Sequence, residues 1–481
     1  MKKPLSSVSA ILLCLSHSAW AVTWFVATGG NDNNDGTNGW AQAFATISNA
    51  VARAVSNDVV LVSNGLFVVT DQIHITNAIR VQSLNGRDYT AVERSGTVTC
   101  RIFRVNHALA VVDGFTITNG LLSGADGGAG VWLQAGSVLN CDVNGNVVER
   151  DGAGIYMQGG FVSNCMVRNN SSATYQRYGG GMWIAGGTAQ CCTITRNGAL
   201  QYFYGAGVYM TGGLLADSEI LTNYVTYGAV WLVGGGATIS NCTIRGNTSN
   251  HYAPVYLATG NMAYKCTITD NSGAWGGGIY SANSSTLIHG CKIMRNYCNF
   301  GGAGIILRNG GIVENCLIIS NRNASTTNPG GGIWLQPGYM GQVRNSTICH
   351  NVSVNTSGGG ISWEGSGGVS NCIIYFNSAP TFPDVHAANP DQFGYSCSPA
   401  LVGGVSNITA NPLFVAPEEY DYRLQKRSPC IEKGTTNVAY HSDIEGVAHF
   451  DADHDGIIRP DMGCHEFPDY ILPHGSRITA R

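Results

Sequence analysis

The chain has 481 residues, of which 12% are charged and 44% hydrophobic, and its formal net charge is −4. This hydrophobic share can build a core, so the composition excludes a disordered chain. The weak net charge offers no basic surface for nucleic acid or an anionic membrane, and beyond the N-terminus no apolar run approaches the roughly 20 residues of a membrane-spanning helix.

The first 21 residues have the pattern of a secretory signal peptide. Lys2 and Lys3 precede an apolar stretch at 11–15, and residues 19–21 (Ala-Trp-Ala) form an A-x-A cleavage site. We therefore expect export of a mature chain that begins at Val22 and is secreted, periplasmic or held at the cell surface.

Residues 22–127 are predicted to form an N-terminal cap and the first, irregular coils of a repeat. Strands are expected over 24–28, 58–62 and 66–70, and apolar residues with helical spacing predict a helix over 41–55. A helix before the first coil would cover an open sheet edge.

Residues 128–379 repeat one pattern, in which a Gly-rich step leads to an aliphatic–aromatic–aliphatic triplet and then to a phrase of the form N-C-x-I-x-x-N. The cysteine position of this phrase recurs every 24–30 residues, at Cys141, Cys165, Cys192, Ser218, Cys242, Cys266, Cys291, Cys316, Ser346 and Cys372. A period of this size with short β-patterned segments is typical of a solenoid. The sequence predicts an all-β fold, a parallel β-helix solenoid of about 13 coils.

Alternation along each strand places the aliphatic residues of the triplet in the core and the aromatic residue outside. The predicted outward column consists of Trp132, Tyr156, Trp183, Tyr209, Trp231, Tyr256, Tyr280 and Trp334, interrupted by Ile306 and Ser362. A second aromatic column precedes the Gly steps and consists of Tyr178, Tyr204, Tyr227, Tyr252, Trp275 and Phe300.

Mostly glycine lies between the two columns. A glycine floor between aromatic walls predicts a long groove in which sugar rings stack on the side chains. In the alternative interpretation, the rings cover one another and stiffen the solenoid.

The repeated cysteine and asparagine have structural interpretations. The cysteines should face the core and remain free thiols, because parallel side chains in register do not give the dihedral angle of a disulfide. The last Asn of each phrase is expected at a coil corner, where it tolerates a left-handed backbone and can bond from coil to coil.

Few carboxylates are available for catalysis in the coils. Asp126 and Asp151 occupy matching places before successive Gly steps and are the candidate catalytic pair. Each could equally accept hydrogen bonds within a turn.

Residues 380–481 are predicted to form a separate C-terminal module. Its Asp451–Gly456 segment places carboxylates at alternate positions of a turn, so Asp451, Asp453, Asp455 and the nearby Asp461 are candidate Ca²⁺ ligands. The alternative is a plain acidic turn. Cys430 and Cys464 are the expected disulfide of an exported module, with Cys397 as a competing partner.

These patterns resemble the right-handed parallel β-helix (pectate-lyase-like) repeat proteins of bacteria. Gly30–Ile47 is similar to the opening segment of those proteins, while 411–414, 421–424, 428–431 and 461–467 are similar to a closing module of the choice-of-anchor type. The coil phrases are also similar to polymorphic outer-membrane proteins. The resemblance implies a right-handed solenoid and export. The N-T-D, D-D, G-H-G and R-I-K motifs of pectinase-like hydrolases do not occur in this sequence.

Three hypotheses for function follow. The first is an exported, monomeric protein that binds polysaccharide or cell-surface glycan along the Gly-floored groove. The second is a polysaccharide lyase or glycoside hydrolase acting in the same groove. The third is a structural or adhesin-like surface protein without glycan affinity. The scarcity of acids in the coils favours binding or structure over catalysis, and Ca²⁺ is the only cofactor expected.

Overall fold

The computed structural model describes residues 21–124, 127–149, 151–172, 177–198, 203–436, 442–449, 451 and 456–467. Residues 1–20 of the predicted signal peptide lie outside these ranges, so export remains a prediction.

The described residues form an all-β parallel solenoid of about 13 turns, as predicted. Each regular coil contributes one strand to each of three parallel ladders. In the first ladder, the strands follow the Gly steps: Ile73–Ile75, Ile155–Met157, Met182–Ile184, Val208–Met210, Val230–Leu232, Val255–Leu257, Ile279–Ser281, Ile305–Leu307, Ile333–Leu335, Ile361–Trp363 and Val385–Ala387. Two long strands, Phe103–Asp113 and Val131–Leu139, belong to both the first and the second ladder.

The second ladder begins with the N-terminal strand of the described chain. Besides the two long strands, its members are Thr23–Val26, Val59–Val62, Arg80–Ser83, Phe161–Ser163, Thr188–Gln190, Leu214–Ala216, Thr238–Ser240, Met262–Tyr264, Leu287–His289, Gly311–Glu314, Met340–Arg344, Ser366–Ser370 and Phe393–Gly394.

The third ladder is a 13-stranded sheet built from the N-C-x-I phrases and their early equivalents. Its strands are Gly65–Val69, Thr90–Arg94, Thr116–Thr118, Asp142–Asn144, Met166–Arg168, Thr193–Thr195, Glu219–Leu221, Thr243–Arg245, Thr267–Thr269, Lys292–Met294, Leu317–Ile319, Thr347–Cys349 and Ile373–Tyr375.

Two-residue strands follow the corner asparagines and form smaller parallel sheets. They are Leu121–Leu122, Val147–Val148, Ser171–Ser172, Tyr224–Val225, Thr248–Ser249, Ser272–Gly273, Tyr297–Cys298, Arg322–Asn323 and Val352–Ser353, with Arg177–Tyr178 and Phe203–Tyr204 pairing beside them.

The triplets fold as strands because alternate side chains can be buried along the whole solenoid. Ile155 and Met157 are fully buried while Tyr156 between them is half-buried, and the same alternation recurs in the third ladder. One continuous apolar core runs from Val26 to Leu401. Full burial of an aliphatic side chain of this size contributes about 1.5–3 kcal/mol to folding.

The N-terminal cap differs from its prediction in the length of the helix. The α-helix spans only Ile47–Arg53, and it begins at Thr46, whose hydroxyl accepts a hydrogen bond from Asn49 N. The first half of the predicted helix forms the 3₁₀ turn Trp40–Gln42 and an extended segment at Phe44 that pairs with the strand Thr23–Val26. The helix is short because Phe44 is bonded to this strand.

The corner asparagines bond coil to coil as predicted, but they do not have the left-handed backbone. The residue before each corner asparagine has positive φ, for example 54° at Asn169 and 53° at Arg196. The asparagine itself is buried, and its amide is committed to bonds with neighbouring coils.

The repeated cysteines are buried free thiols, as predicted. The predicted Cys430–Cys464 disulfide is wrong, because all fifteen cysteines of the described residues are free. The neighbouring Cys397 thiol and burial raise the pKa of Cys430, and the Cys397 thiol donates to Ala410 O at 3.2 Å.

Parallel stacking continues past residue 380, where Val385–Ala387 pairs with Ile361–Trp363, and the 3₁₀ turn Pro390–Gln392 follows. A small antiparallel sheet of Phe414–Ala416 and Asp421–Leu424, joined by the 3₁₀ turn Pro417–Glu419, then packs on the outer side of the third ladder. None of the helices found in the described ranges is long and apolar enough to cross a membrane.

Candidate functional site

The middle residues of the first-ladder strands stand in register from coil to coil, as the alternation predicts. We call the aromatic members of this column the aromatic row. They are Trp132, Tyr156, Trp183, Tyr209, Trp231, Tyr256, Tyr280 and Trp334, with Ile306 between the last two. His74 and Arg104 precede the row in the same column, and Ser362 and His386 follow it.

Neighbouring rings of the row contact one another. Ring centroids are 5.2 Å apart for Tyr156 and Trp183, and 3.7 Å apart for Trp231 and Tyr256, whose planes are parallel within 3°. Such pairs contribute about 0.5–1.5 kcal/mol beyond the area they bury, so the row stabilises the stacking of the coils.

The second column, which we call the outer rings, lies on the aromatic row rather than across a gap from it. Its members are Tyr178, Tyr204, Tyr227, Tyr252, Trp275 and Phe300. Tyr178 is 4.6 Å from Tyr209 and Tyr204 is 5.0 Å from Trp231, measured between ring centroids. The two columns therefore form a single two-layered cluster, the aromatic face.

The predicted glycine floor is not an open surface. The Gly steps are buried, and a Cβ atom at Gly330 would lie 2.7 Å from Cβ of Trp334. Because glycine has no side chain, the aromatic side chains pack directly on the backbone of the Gly steps. The exposed surface consists of rings, and the expectation of a Gly-floored groove is corrected accordingly.

Exposure is uneven over the aromatic face. In the row, Tyr280 is 1% exposed and Trp334 5%, whereas Trp132, Tyr156, Trp183 and Tyr256 are half-buried. Burial raises the pKa of Tyr256 to about 12. The outer rings are half-buried except for Phe300, which is 45% exposed. A ligand would thus meet the outer rings and the N-terminal part of the row.

Indole N–H groups of the row are bonded to polar side chains of the next coil. Trp132 Nε1 donates to Gln158 Oε1 at 3.1 Å, and Trp334 Nε1 donates to Glu364 Oε1 at 3.0 Å. These bonds fix the orientation of the two rings.

The N-terminal end of the aromatic face is positively charged. The Cζ atoms of Arg104 and Arg101 lie 4.4 and 4.7 Å from the ring centroid of Trp132, a cation–π arrangement. Burial and these two arginines lower the pKa of His74, the next residue of the column.

Of the two candidate catalytic carboxylates, the structure describes only Asp151. Asp126 lies outside the described residues. Asp151 Oδ1 accepts a hydrogen bond from Tyr178 N at 3.1 Å, which is the turn-acceptor geometry of the alternative interpretation. Catalysis by this pair remains a prediction.

The candidate calcium ligands are described only in part, since Asp453 and Asp455 lie outside the described residues. Asp451 Oδ2 accepts from Gly456 N at 2.8 Å. Asp461 is 2% exposed and accepts from Glu432 N and Phe467 N. Within the described part of the chain, no group of three or more His, Cys, Asp or Glu side chains is placed to hold a metal ion. Calcium binding therefore stays a prediction, which melting curves with and without chelator would test.

Asp461 belongs instead to a buried group of carboxylates that sequence reasoning missed. Its other members are Glu432, Asp443 and Glu466, each at most 6% exposed. Burial, with mutual repulsion, raises the pKa of Asp461 to about 7 and that of Glu466 to about 9. No local sequence pattern predicts this group, because its members come from three separate segments of the chain.

Comparison with known proteins supports the architecture. Residues 186–337 and 228–411 match a family model described as a right handed beta helix region, which identifies the parallel solenoid as right-handed. A search of curated proteins found no match to this sequence. The similarities to a choice-of-anchor module and to outer-membrane proteins remain predictions.

Several solved structures are similar over most of their length. One is pectate lyase Pel9A, with 13% identity, a TM-score of 0.29, and coverage of 93% of this chain and 97% of that chain. A complex of XylC with xylose has 9% identity, a TM-score of 0.35, and coverage of 92% and 98%. A mannuronic acid specific polysaccharide family 6 lyase from human gut microbiota has 8% identity, a TM-score of 0.34, and coverage of 72% and 81%. Values this low carry no argument about substrate or activity.

Proposed function

We propose that this protein binds polysaccharide along its aromatic face. The observation that carries the proposal is the column of six outer rings that packs on the aromatic row. Eight coil steps separate Trp132 from Trp334, which at about 4.8 Å per step gives a face about 38 Å long. This length accommodates several consecutive sugar units.

The chemistry of the face suits a sugar chain. Half-buried tyrosine and tryptophan rings offer flat apolar area at a low cost in conformational entropy, and their hydroxyl and indole groups lie at the edges. Sugar rings present the same combination of an apolar face and polar edges. Export by the predicted signal peptide would bring the face into contact with extracellular glycans.

The test uses the chain from Val22 to Arg481 with neutral, uronic and sulfated polysaccharides, followed by size-exclusion chromatography. We expect at least one polymer to co-elute with the protein at its original length. The double variant Trp275→Ala, Phe300→Ala should weaken this binding at least about tenfold, if each ring contributes on the scale of a base stacked on an aromatic side chain, about 1–3 kcal/mol.

The control removes an equally exposed ring elsewhere. Tyr224 is 60% exposed and lies in the short strand Tyr224–Val225, away from the first ladder. Tyr224→Ala should bind as the unmodified chain does. Equal binding by the Trp275→Ala, Phe300→Ala variant would refute the proposal, and shortened polymer would indicate an enzyme.

A second candidate function is structural, and the packing of the rings favours it. Tyr209, Trp231, Tyr280 and Trp334 are each at most 8% exposed, so part of the aromatic face acts as an outer core that stiffens the solenoid. If this is the whole role of the rings, none of the polymers will be retained.

A further inference from the structure

A polar group closes the column of the aromatic row at its C-terminal end. Where earlier coils carry a ring, the next position is Ser362, which is fully buried, followed by His386 in the last coil. Ser362 Oγ lies 3.1 Å from Glu364 Oε1 and 3.0 Å from His386 Nδ1. Among the described residues, this is the place where the aromatic face meets a hydrogen-bonded carboxylate and imidazole.

The hydrogen-bond directions in this group follow from its chemistry. An ionised carboxylate only accepts, so the Ser362 hydroxyl donates to Glu364 Oε1. The oxygen of Ser362, and that of Ser357 at 3.2 Å, then accept from Nδ1–H of His386, and in this neutral tautomer Nε2 is left as an acceptor.

The outer atoms of the group are free to meet a ligand. Glu364 and His386 are both half-buried, and no described residue is bonded to Glu364 Oε2 or His386 Nε2. The inner oxygen, Oε1, is held by Trp334 Nε1 as well as by Ser362. Phe382 is 57% exposed, and its ring centroid is 5.1 Å from that of His386.

We propose that Glu364 Oε2, His386 Nε2 and the ring of Phe382 form a terminal subsite for a neutral sugar unit. Two fixed acceptors suit a pair of adjacent hydroxyl groups, which donate to both, while the apolar face of the sugar rests on the phenyl ring. The same two acceptors disfavour a carboxylate or sulfate, because like partial charges would face each other. This inference rests on the proposed glycan binding. It adds the class of sugar and the place where the end of the polysaccharide is bound.

Two substitutions change the outer atoms and keep the inner ones. In Glu364→Gln, the amide oxygen can still accept from Trp334 and Ser362, while an N–H₂ donor replaces Oε2. In His386→Asn, the amide N–H₂ takes the place of Nδ1–H toward Ser362, and Nε2 is lost. Both variants should therefore fold with an unchanged melting temperature. Glu219→Gln, on an exposed position of the third ladder, is the matched control.

The experiment is calorimetric titration with cellohexaose, mannohexaose, xylohexaose and hexagalacturonate. We expect a neutral hexasaccharide to bind more tightly than hexagalacturonate, and Glu364→Gln and His386→Asn each to lower its affinity about tenfold or more, which is the scale of a hydrogen bond to a charged or strongly polar group. Glu219→Gln should bind normally.

The outcomes separate the two proposals. Suppose that Glu364→Gln and His386→Asn both bind with normal affinity while the Trp275→Ala, Phe300→Ala variant binds more weakly. This result would overturn the terminal subsite and would still support polysaccharide binding along the aromatic face. Tighter binding of hexagalacturonate than of the neutral sugars would also overturn the terminal subsite. If the unmodified chain binds none of the oligosaccharides or polysaccharides, both proposals fall.

Discussion

Single asparagines join each coil to the next through buried amide groups. Asn247 Oδ1 accepts from the backbone N and the Nδ2 of Asn223, and its own Nδ2 donates to Ile220 O and to Asn271 Oδ1. Four bonds to neighbouring coils thus depend on one side chain, and all lie away from water, where unpaired groups are costly.

Asn247→Ala should lower the free energy of unfolding by at least about 2 kcal/mol. The substitution leaves the buried backbone N–H of Asn223 without its acceptor and removes the bonds to Ile220 O and Asn271 Oδ1, and an unpaired buried group costs about 1–3 kcal/mol. Urea denaturation followed by circular dichroism measures the change. Asn250→Ala is the control, because Asn250 is exposed and its side chain bonds only the exposed Tyr224 hydroxyl. Similar midpoints for the two variants would contradict this role of the corner asparagines.

The buried carboxylates of the C-terminal segment should make stability depend on pH. The folded state raises the pKa of Asp461 from 3.8 to about 7 and that of Glu466 from 4.5 to about 9, so it holds protons that the unfolded chain releases. Their contribution to stability is fully present below about pH 4 and is lost as the pH rises to about 9. Asp443 and Glu432 belong to the same group, His449 Nε2 lies 3.6 Å from Glu466 Oε1, and the charge of Asp443 acts on His465.

We therefore expect the melting temperature to fall between pH 6 and pH 9.5, and to fall less in Glu466→Gln. The amide of glutamine carries no charge at any of these pH values, so it removes the larger of the two titrations. Scanning calorimetry across this range checks the expectation. A profile in Glu466→Gln as steep as that of the unmodified chain would show that the decline arises elsewhere.

At the scale of the repeated element, the Gly steps are set by close contact between coils. A Cβ atom at Gly154 would lie 2.5 Å from Gly181 O of the next coil and 2.9 Å from Asn170 Nδ2. Backbone oxygen cannot move away without breaking the ladder, so a methyl group would separate the two coils.

Gly154→Ala should accordingly destabilise the protein by about 1–3 kcal/mol, the scale of overpacking in a tight core. Gly235→Ala provides the comparison, since Gly235 lies at an exposed turn with no atom within 4 Å of its would-be Cβ. That variant should keep the stability of the unmodified chain. Denaturant midpoints of the two proteins are the measurement, and equal midpoints would disprove the close-contact account.

Local pattern predicts the aromatic row well and its environment poorly. Strand alternation alone places Trp183 outward and Met182 and Ile184 in the core, because a period of two leaves no other choice once one face is apolar. Whether an outward ring is then covered depends on the neighbouring segment. Tyr178 comes from a different strand than the Tyr209 it packs on, so the closure of the predicted groove could not be read from spacing.

Across the whole molecule, the period of the repeat predicts the fold, whereas the structure at the two ends of the solenoid could not be predicted from it. The coils are fixed by the recurrence of Gly steps and corner asparagines over more than 200 residues, which is strong evidence for a solenoid. The terminal subsite has one visible signal, the serine at position 362 in a column of rings, but the partners Glu364 and His386 are joined to it only by coil stacking. The shortened helix at the N-terminus likewise depends on a tertiary contact of Phe44.

A solenoid with one continuous core should protect its thiols together. Of the cysteines in the described ranges, only Cys191 is exposed, and the others are buried. We expect a thiol-reactive chromogenic reagent to titrate one thiol rapidly in the native chain from Val22 to Arg481, and all fifteen in denaturant.

Cys191→Ser should remove the rapid thiol and leave fourteen in denaturant. A larger number of rapid thiols in the native protein would mean that a coil opens without global unfolding, which a core shared by every coil argues against. A total of thirteen in the denatured, unreduced chain would instead reveal one disulfide. Since the thiols of Cys397 and Cys430 are neighbours, that pair would be the first to examine by peptide mapping.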